Sequence, residues 1–267
     1  MDLEYGLELT NNSKASWAFS LPRKETCIMA TDVCKRLCYG NGIRYQGKAQ
    51  RAKRQRNLRT VELLLANGGP ELLAENLVAL VDQARPADWL AAVVAGRRTR
   101  TPWTIRIHDV GDFHSINYAE AWRMAVQQRP KCSFWFYTRS FQEDILFDAL
   151  TKLASLPNCQ GWLSIDSENL SDGMLAYCKH PGIWKLAFLQ EEPERLDVTI
   201  LPALAATGNP GDVVSFPYHR GGYHAEPVQQ PGVYTCPAVV GVYKLQANAS
   251  KVRHVRLATF ACHDGKK

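Results

Sequence analysis

Cys27, Cys34 and Cys38 fall within the single stretch TCIMATDVCKRLCYGN, spaced C-x6-C-x3-C. Thiolates gathered on one loop repel each other unless a cation neutralises them, so a bound metal is the economical account of the group. Structural zinc sites usually present C-x(2–4)-C knuckles in pairs, and no second knuckle follows here. Iron–sulfur clusters accept wider gaps, because their ligands go to different irons of a cube. A [4Fe-4S] cluster is therefore the leading reading and zinc the alternative. Cys236, in YTCPAV, is the first candidate for a fourth thiolate, and Cys262, in FACHDG, the second. Cys132, Cys159 and Cys178 stand singly and read as packing residues.

A second cluster of chemistry follows the cysteines. No acid occurs between Asp32 and Glu62, while Lys35, Arg36, Arg44, Lys48, Arg51, Lys53, Arg54, Arg56 and Arg59 add nine positive charges. The whole chain carries only +6, so the remainder is slightly acidic and an anionic partner meets this stretch first. Within the basic segment 44–59, Arg51, Lys53, Arg54 and Arg56 are the nucleic-acid candidates, with Tyr39 and Tyr45 upstream as stacking groups. The competing reading is a solvated helix, or a positive wall that offsets cluster charge.

These residues need elements to hold them, and the chain supplies an alternation of strand and helix patterns. SWAFSL (16–21) reads as a first strand. VELLLANGG, PELLAENLVALVDQA and PADWLAAVVAG read as helices, with Pro70 and Pro86 near starts and Gly68 and Gly69 at a stop. From there TIRIH (104–108), SFWFYT (133–138), GWLSID (161–166), IWKLAFL (183–189) and DVVSFP (212–217) read as strands, the first three each followed by a helix pattern. This order predicts parallel pairing, since each crossover needs a helix to return the chain. The expectation is one α/β domain over residues 1–267, a complete or partial (β/α) TIM-like barrel, with an open doubly wound sheet as second choice.

Parallel α/β sheets build their sites at the C-terminal ends of the strands. There lie His108, Asp109 and Asp112, then Arg139 and Ser140, then Asp166, Ser167 and Glu168. Gln190, Glu191 and Glu192, and later Tyr218, His219 and Arg220, follow the last two strands. Asp112, Arg139 and Glu168 are the candidate catalytic residues, and the cysteine loop 27–38 belongs to the same mouth because it also follows a strand. A content of 46% apolar and 22% charged residues is ordinary for a globular protein. Without a long apolar run or a basic-then-apolar leader at the start, the expectation is a cytoplasmic chain with no membrane span.

TC-x6-C-x3-CYGN, RIHDVGDFHSINYAEAW, FWFYTRS and the late TCPAV together resemble the phage and mobile-element "gene product 88" family, a largely uncharacterised group. Comparable segments there read as a cysteine-rich CY loop, R-I-H-x-S-G-D-F and Y-T-K/R-S. The resemblance runs from Cys27 to about residue 240, and GDF and YTRS are its most specific parts. The family implies a further cysteine cluster after CPAV, where this chain has only Cys262. The layout is also similar to radical S-adenosylmethionine enzymes, in which three cysteines after the first barrel strand hold a [4Fe-4S] cluster and a glycine-acid motif meets the methionine amino group. VGDF (110–113) takes that place here, but the gaps differ from the x3 and x2 of that superfamily. A fourth thiolate from Cys236 would fill the iron position that S-adenosylmethionine needs.

Two function classes follow. One is a cluster-bearing protein with a structural or redox role that binds nucleic acid or a host or mobile-element protein. The other is an enzyme, with Asp112, Arg139 and Glu168 around a small-molecule pocket, using S-adenosylmethionine at an open iron.

Overall fold

The computed structural model describes residues 6–12, 16–97, 102–190 and 213–217. Its sheet has seven strands: β1 (Thr10–Asn12), β2 (Ser16–Ala18), β3 (Thr104–Ile107), β4 (Ser133–Thr138), β5 (Cys159–Ile165), β6 (Trp184–Gln190) and β7 (Val213–Pro217). They lie side by side in chain order; β1 pairs antiparallel with β2, and every later neighbour pairs in parallel. Strand and helix placement follows the sequence reading closely from residue 104 onward.

The fold is α/β, but the sheet is open among the described residues, so a complete barrel is not what these strands form. The reason is visible at the first edge. The hydrogen-bonding side of β2 that a last strand would need for closure is occupied by β1. The doubly wound alternative also fails, because that layout requires the strand order to reverse at a switch point, and here it is strictly sequential.

Between the strands lie α1 (Arg23–Thr26), α2 (Asp32–Leu37), a 3-10 turn (Tyr39–Asn41), α3 (Ile43–Gln46), α4 (Lys48–Gln83), α5 (Trp89–Val94), α6 (Ile116–Gln128), α7 (Asp144–Ala154) and α8 (Leu170–Lys179). The expected stop at the paired glycines is a kink within α4: Gly68 and Gly69 leave helical geometry, Gly69 at φ +63°, just before Pro70. Ser115 caps α6 by accepting from the Tyr118 amide, and Glu143 caps α7 by accepting from the Leu146 amide, so each helix starts where a side chain satisfies its free N–H groups.

The amphipathic pattern of these helices decides which face of the sheet they cover. Tyr118, Trp122, Ala125 and Val126 of α6 and Phe147, Leu150 and Leu153 of α7 are buried at helical spacing. They join one core with Leu73 and Leu77 of α4 and with alternate strand residues Ile105, Ile107, Phe134, Phe136, Leu163, Ile165, Leu186 and Phe188. The remaining strand positions point to the other face, where Tyr137, Trp162 and Ala187 form a separate small cluster. On that face the Arg106 guanidinium lies over Trp135 at 4.9 Å and Tyr137 at 5.4 Å. Period-2 alternation of strand side chains is what keeps the two sets apart.

Candidate functional site

The cysteine loop leaves β2 at its C-terminal end and is stitched to the segment after β3. Leu21 N–H donates to the Val110 carbonyl at 2.8 Å, and Asp109 N–H donates to the Phe19 carbonyl at 2.8 Å. The RIHDVGDF segment therefore serves as the seat on which α1 and the cysteines rest. Gly111 is required in that seat. Its φ is +95°, and a Cβ there would come within 2.9 Å of the Leu21 carbonyl and the Thr26 hydroxyl. His108, at φ +67°, is the one described non-glycine residue with positive φ; its Nε2 lies 2.7 Å from the Tyr118 hydroxyl. Tyr39 closes the other side, its hydroxyl donating to the Asp109 carbonyl and accepting from Arg106 Nη2 at 2.9 Å.

Beyond Cys27 the loop is tied to the ends of β4 and β5. Thr31 caps α2 by accepting from the Cys34 amide at 3.0 Å, and its hydroxyl donates to Asp166. Arg139 Nη1 donates to the same Asp166 oxygen at 2.6 Å, with the two side chains 7% and 0% exposed. The other Asp166 oxygen accepts from the Glu168 amide at 3.0 Å, and Asn169 Oδ1 accepts from the Asp166 amide at 2.7 Å. Glu168 reaches back to accept from the Asp32 amide at 2.8 Å, placing a carboxylate at the start of α2, where free N–H groups favour negative charge. Asp112 accepts from the Arg139 amide at 2.7 Å and from its neighbour Phe113 at 2.7 Å.

Cys27, Cys34 and Cys38 are all free and half-buried. They lie near enough to feel each other's charge: burial pushes the Cys27 thiol well up, and Asp112, Cys34 and Cys38 add to it. Burial likewise raises Cys34, with Arg139 working in the opposite direction. Asp112 is pushed up to about 6 by burial, against the hydrogen bond from the Arg139 amide. The pocket is thus unfavourable to thiolate unless a cation is supplied. Among the described residues no three His, Cys, Asp or Glu side chains converge closely enough to hold one metal ion. What the loop offers a metal or cluster is the chemistry of its donors: three free thiols near enough to feel each other's charge, which a cube could take one per iron.

The sequence-level candidates divide cleanly. Asp112, Arg139 and Glu168 do come together around the cysteine loop, and the described hydrogen bonds use them to hold it. Cys236 and Cys262 lie outside the described residues, as do Glu191, Glu192, Tyr218, His219 and Arg220. Cys132 and Cys159 are buried, as expected for packing, but Cys178 is exposed. Of the basic candidates, Arg51 is exposed. Lys53 and Arg56 instead clamp Glu8 at 3.1 and 2.6 Å, and buried Arg54 donates to the Tyr45 carbonyl at 2.7 Å. Of the residues that dock the loop, Asp166 is expected at the mouth but without a role, and Thr31 is not among the candidates. The Thr-Asp-Val-Cys start of α2 carried a capping signal that could have marked Thr31.

No helix of the described residues is long and apolar enough to cross a membrane. No solved structure matches the chain. The "Gene 88 protein" of Mycobacterium phage L5 is 27% identical over 114 residues, a stretch that spans 43% of this chain and 43% of that relative. The family model described as "Gene product 88" matches residues 4–182, a span that takes in the cysteine loop, the RIHDVGDF seat, YTRS and Asp166–Glu168. With most of its length matched, and the whole docking network of the loop inside the match, the chain belongs to the gene product 88 family.

Proposed function

We propose that this protein holds a [4Fe-4S] cluster through Cys27, Cys34 and Cys38, with Cys236 as the fourth thiolate, in a structural or redox role linked to a nucleic-acid or protein partner. The observation that carries the reading is the placement of three free, half-buried thiols on a loop that a buried Arg139–Asp166–Thr31 network docks at the C-terminal ends of parallel strands. The cluster, when bound, would supply one-electron chemistry or a rigid cross-link. The protein's part is to hold the thiols against burial and repulsion and to give up their protons on loading. The setting is a reducing, cytoplasmic one, where free cysteines persist. The layout is that of a partial (β/α) barrel, supported by sequential strand order and by α4, α6 and α7 sharing the core of one sheet face.

The enzyme alternative, an open iron that binds S-adenosylmethionine, draws on the closeness of Asp112 to Cys27. Against it, both Asp112 oxygens already accept from backbone amides, which leaves this carboxylate little to offer a ligand amine. Zinc remains the second metal. The deciding experiment is Cys236→Ala, examined anaerobically with and without S-adenosylmethionine. A closed site predicts a wild-type spectrum indifferent to the compound and a labile cluster in the variant. A cofactor-dependent spectrum in wild type, with formation of 5′-deoxyadenosine on reduction, would overturn the closed site. Stoichiometric zinc without sulfide would overturn the cluster.

A further inference from the structure

We propose that the outer rim of the cysteine loop, built by α3 and the first turn of α4, is a binding surface for single-stranded nucleic acid, with Arg44, Lys48 and Arg51 as its phosphate contacts. This deepens the partner reading above and moves it to different residues. The cations in the middle of the basic run are not available: Lys53 and Arg56 hold Glu8, and Arg54 is buried against the Tyr45 carbonyl. Arg44, Lys48 and Arg51 are exposed, and no ion pair engages them among the described residues. Lys48 and Arg51 stand three apart on one helix face, so their charges sit side by side. Burial lowers the pKa of Arg54 and the charge of Arg51 adds to it, while Asp109 works in the opposite direction.

The same rim exposes apolar groups. Ile43 is 94% exposed, Ile28 48% and Tyr39 37%. Tyr39 and Tyr45 meet edge to face with centroids 5.5 Å apart, directly behind Arg44. Gln46 fastens α3 to the loop by donating to the Gly40 carbonyl at 2.9 Å, which ties the turn that carries Arg44 and Tyr45 to the one that carries Tyr39. Among the described acids, Asp109 is engaged behind the rings by the Tyr45 side chain and by Arg106 at 2.8 Å, Asp32 pairs with Lys35, and Glu25 accepts from Gln55. Unpaired cations beside aromatic rings are what a single strand requires, since phosphates take the charges and unstacked bases take the rings. An acidic protein would use the cations and Ile43 but would have no need of the tyrosine pair, so the rings favour nucleic acid.

The test uses the full chain, purified anaerobically, with a fluorescein-labelled single-stranded oligonucleotide of about 16 nucleotides read by anisotropy. Over about 50 to 200 mM salt, log K should fall against log salt with a slope of about −2, from three contacts at about 0.7 each. R44E/K48E/R51E should abolish binding, R44Q/K48Q/R51Q should remove most of the slope, and K53Q/R56Q should keep it. Iron and sulfide measured on the same samples separate the two readings: binding that persists in iron-free wild type counts against the cluster alone, not against the rim. The proposal fails if wild type does not bind at low salt, or if both rim variants bind as wild type. It also fails if K53Q/R56Q loses binding with melting unchanged, if duplex binds more tightly than single strand, or if polyglutamate of equal charge competes equally well.

Discussion

Two charged regions flank the cysteine loop, and they use their charge in opposite ways. At the ends of β4 and β5, Arg139 and Asp166 are withdrawn from water and bonded to each other, with Thr31 and the Glu168 amide taking the remaining Asp166 capacity. At the start of α4, cations crowd one short stretch, and among the described residues those in its middle find partners in Glu8 and the Tyr45 carbonyl. The first region is a lock that fixes where the thiols sit. The second is half clamp and half open surface. A charged residue near a site is therefore informative only when its partner is known: Arg139 and Arg56 are both paired arginines, yet one is buried and the other is 34% exposed.

The sharpest way to break the comparison is to remove one half of the lock. Arg139→Leu leaves the Asp166 carboxylate buried without its cation, a change that costs about 3–5 kcal/mol in comparable pairs. Urea denaturation should show that loss, and limited proteolysis should then cut within residues 27–38. A variant with wild-type stability and a protected loop would mean that the pair does not dock the cysteines.

Asp112→Asn tests the seat of the loop. The side chain accepts from two backbone amides, and an asparagine can offer only one oxygen, so one buried donor loses its partner at about 1–3 kcal/mol. The pH profile adds a sign. In cluster-free protein the Asp112 pKa is raised by burial from 3.8 to about 6, so folding favours the protonated form. Its contribution is fully present below pH 3.8 and is lost as pH rises through about 6. Wild type should therefore gain stability on acidification from pH 7 toward 5, and Asp112→Asn should remove that gain. An identical profile in the variant would contradict the assignment.

The smallest effect belongs to the clamp. Lys53→Gln with Arg56→Gln removes partly exposed ion pairs to Glu8 and should cost no more than about 1 kcal/mol. Melting of the double variant checks this; a loss comparable with that of Arg139→Leu would erase the distinction between the two regions.

Much of this was legible in the sequence, for identifiable reasons. Strands such as SFWFYT show their alternation directly, because Phe134, Phe136 and Thr138 face one side and Trp135 and Tyr137 the other. The three cysteines advertised themselves by spacing, and Asp112, Arg139 and Glu168 by following strands. What stayed hidden depended on distant partners. Strand β1 is three polar residues, and the segment before it is held in place by Asn57, which accepts from the Glu8 amide and donates to the Glu8 and Ser20 carbonyls. Whether the barrel is complete or partial stays open in the sequence for the same reason, since local pattern does not say which strand takes an edge. Nothing local marks Lys53 and Arg56 as paired, because Glu8 lies more than forty residues away in the chain. The roles of Thr31 and Asp166 come from a contact across 135 residues, beyond the reach of any motif.

The central claim, a cluster on the docked loop, is tested most directly by counting iron and acid-labile sulfide in protein purified without exposure to air. The account predicts brown protein with about four irons and matching sulfide per chain, lost on changing Cys27, Cys34 or Cys38 to alanine. Colourless protein that carries one zinc per chain and no sulfide, or iron unaffected by all three substitutions, would contradict it.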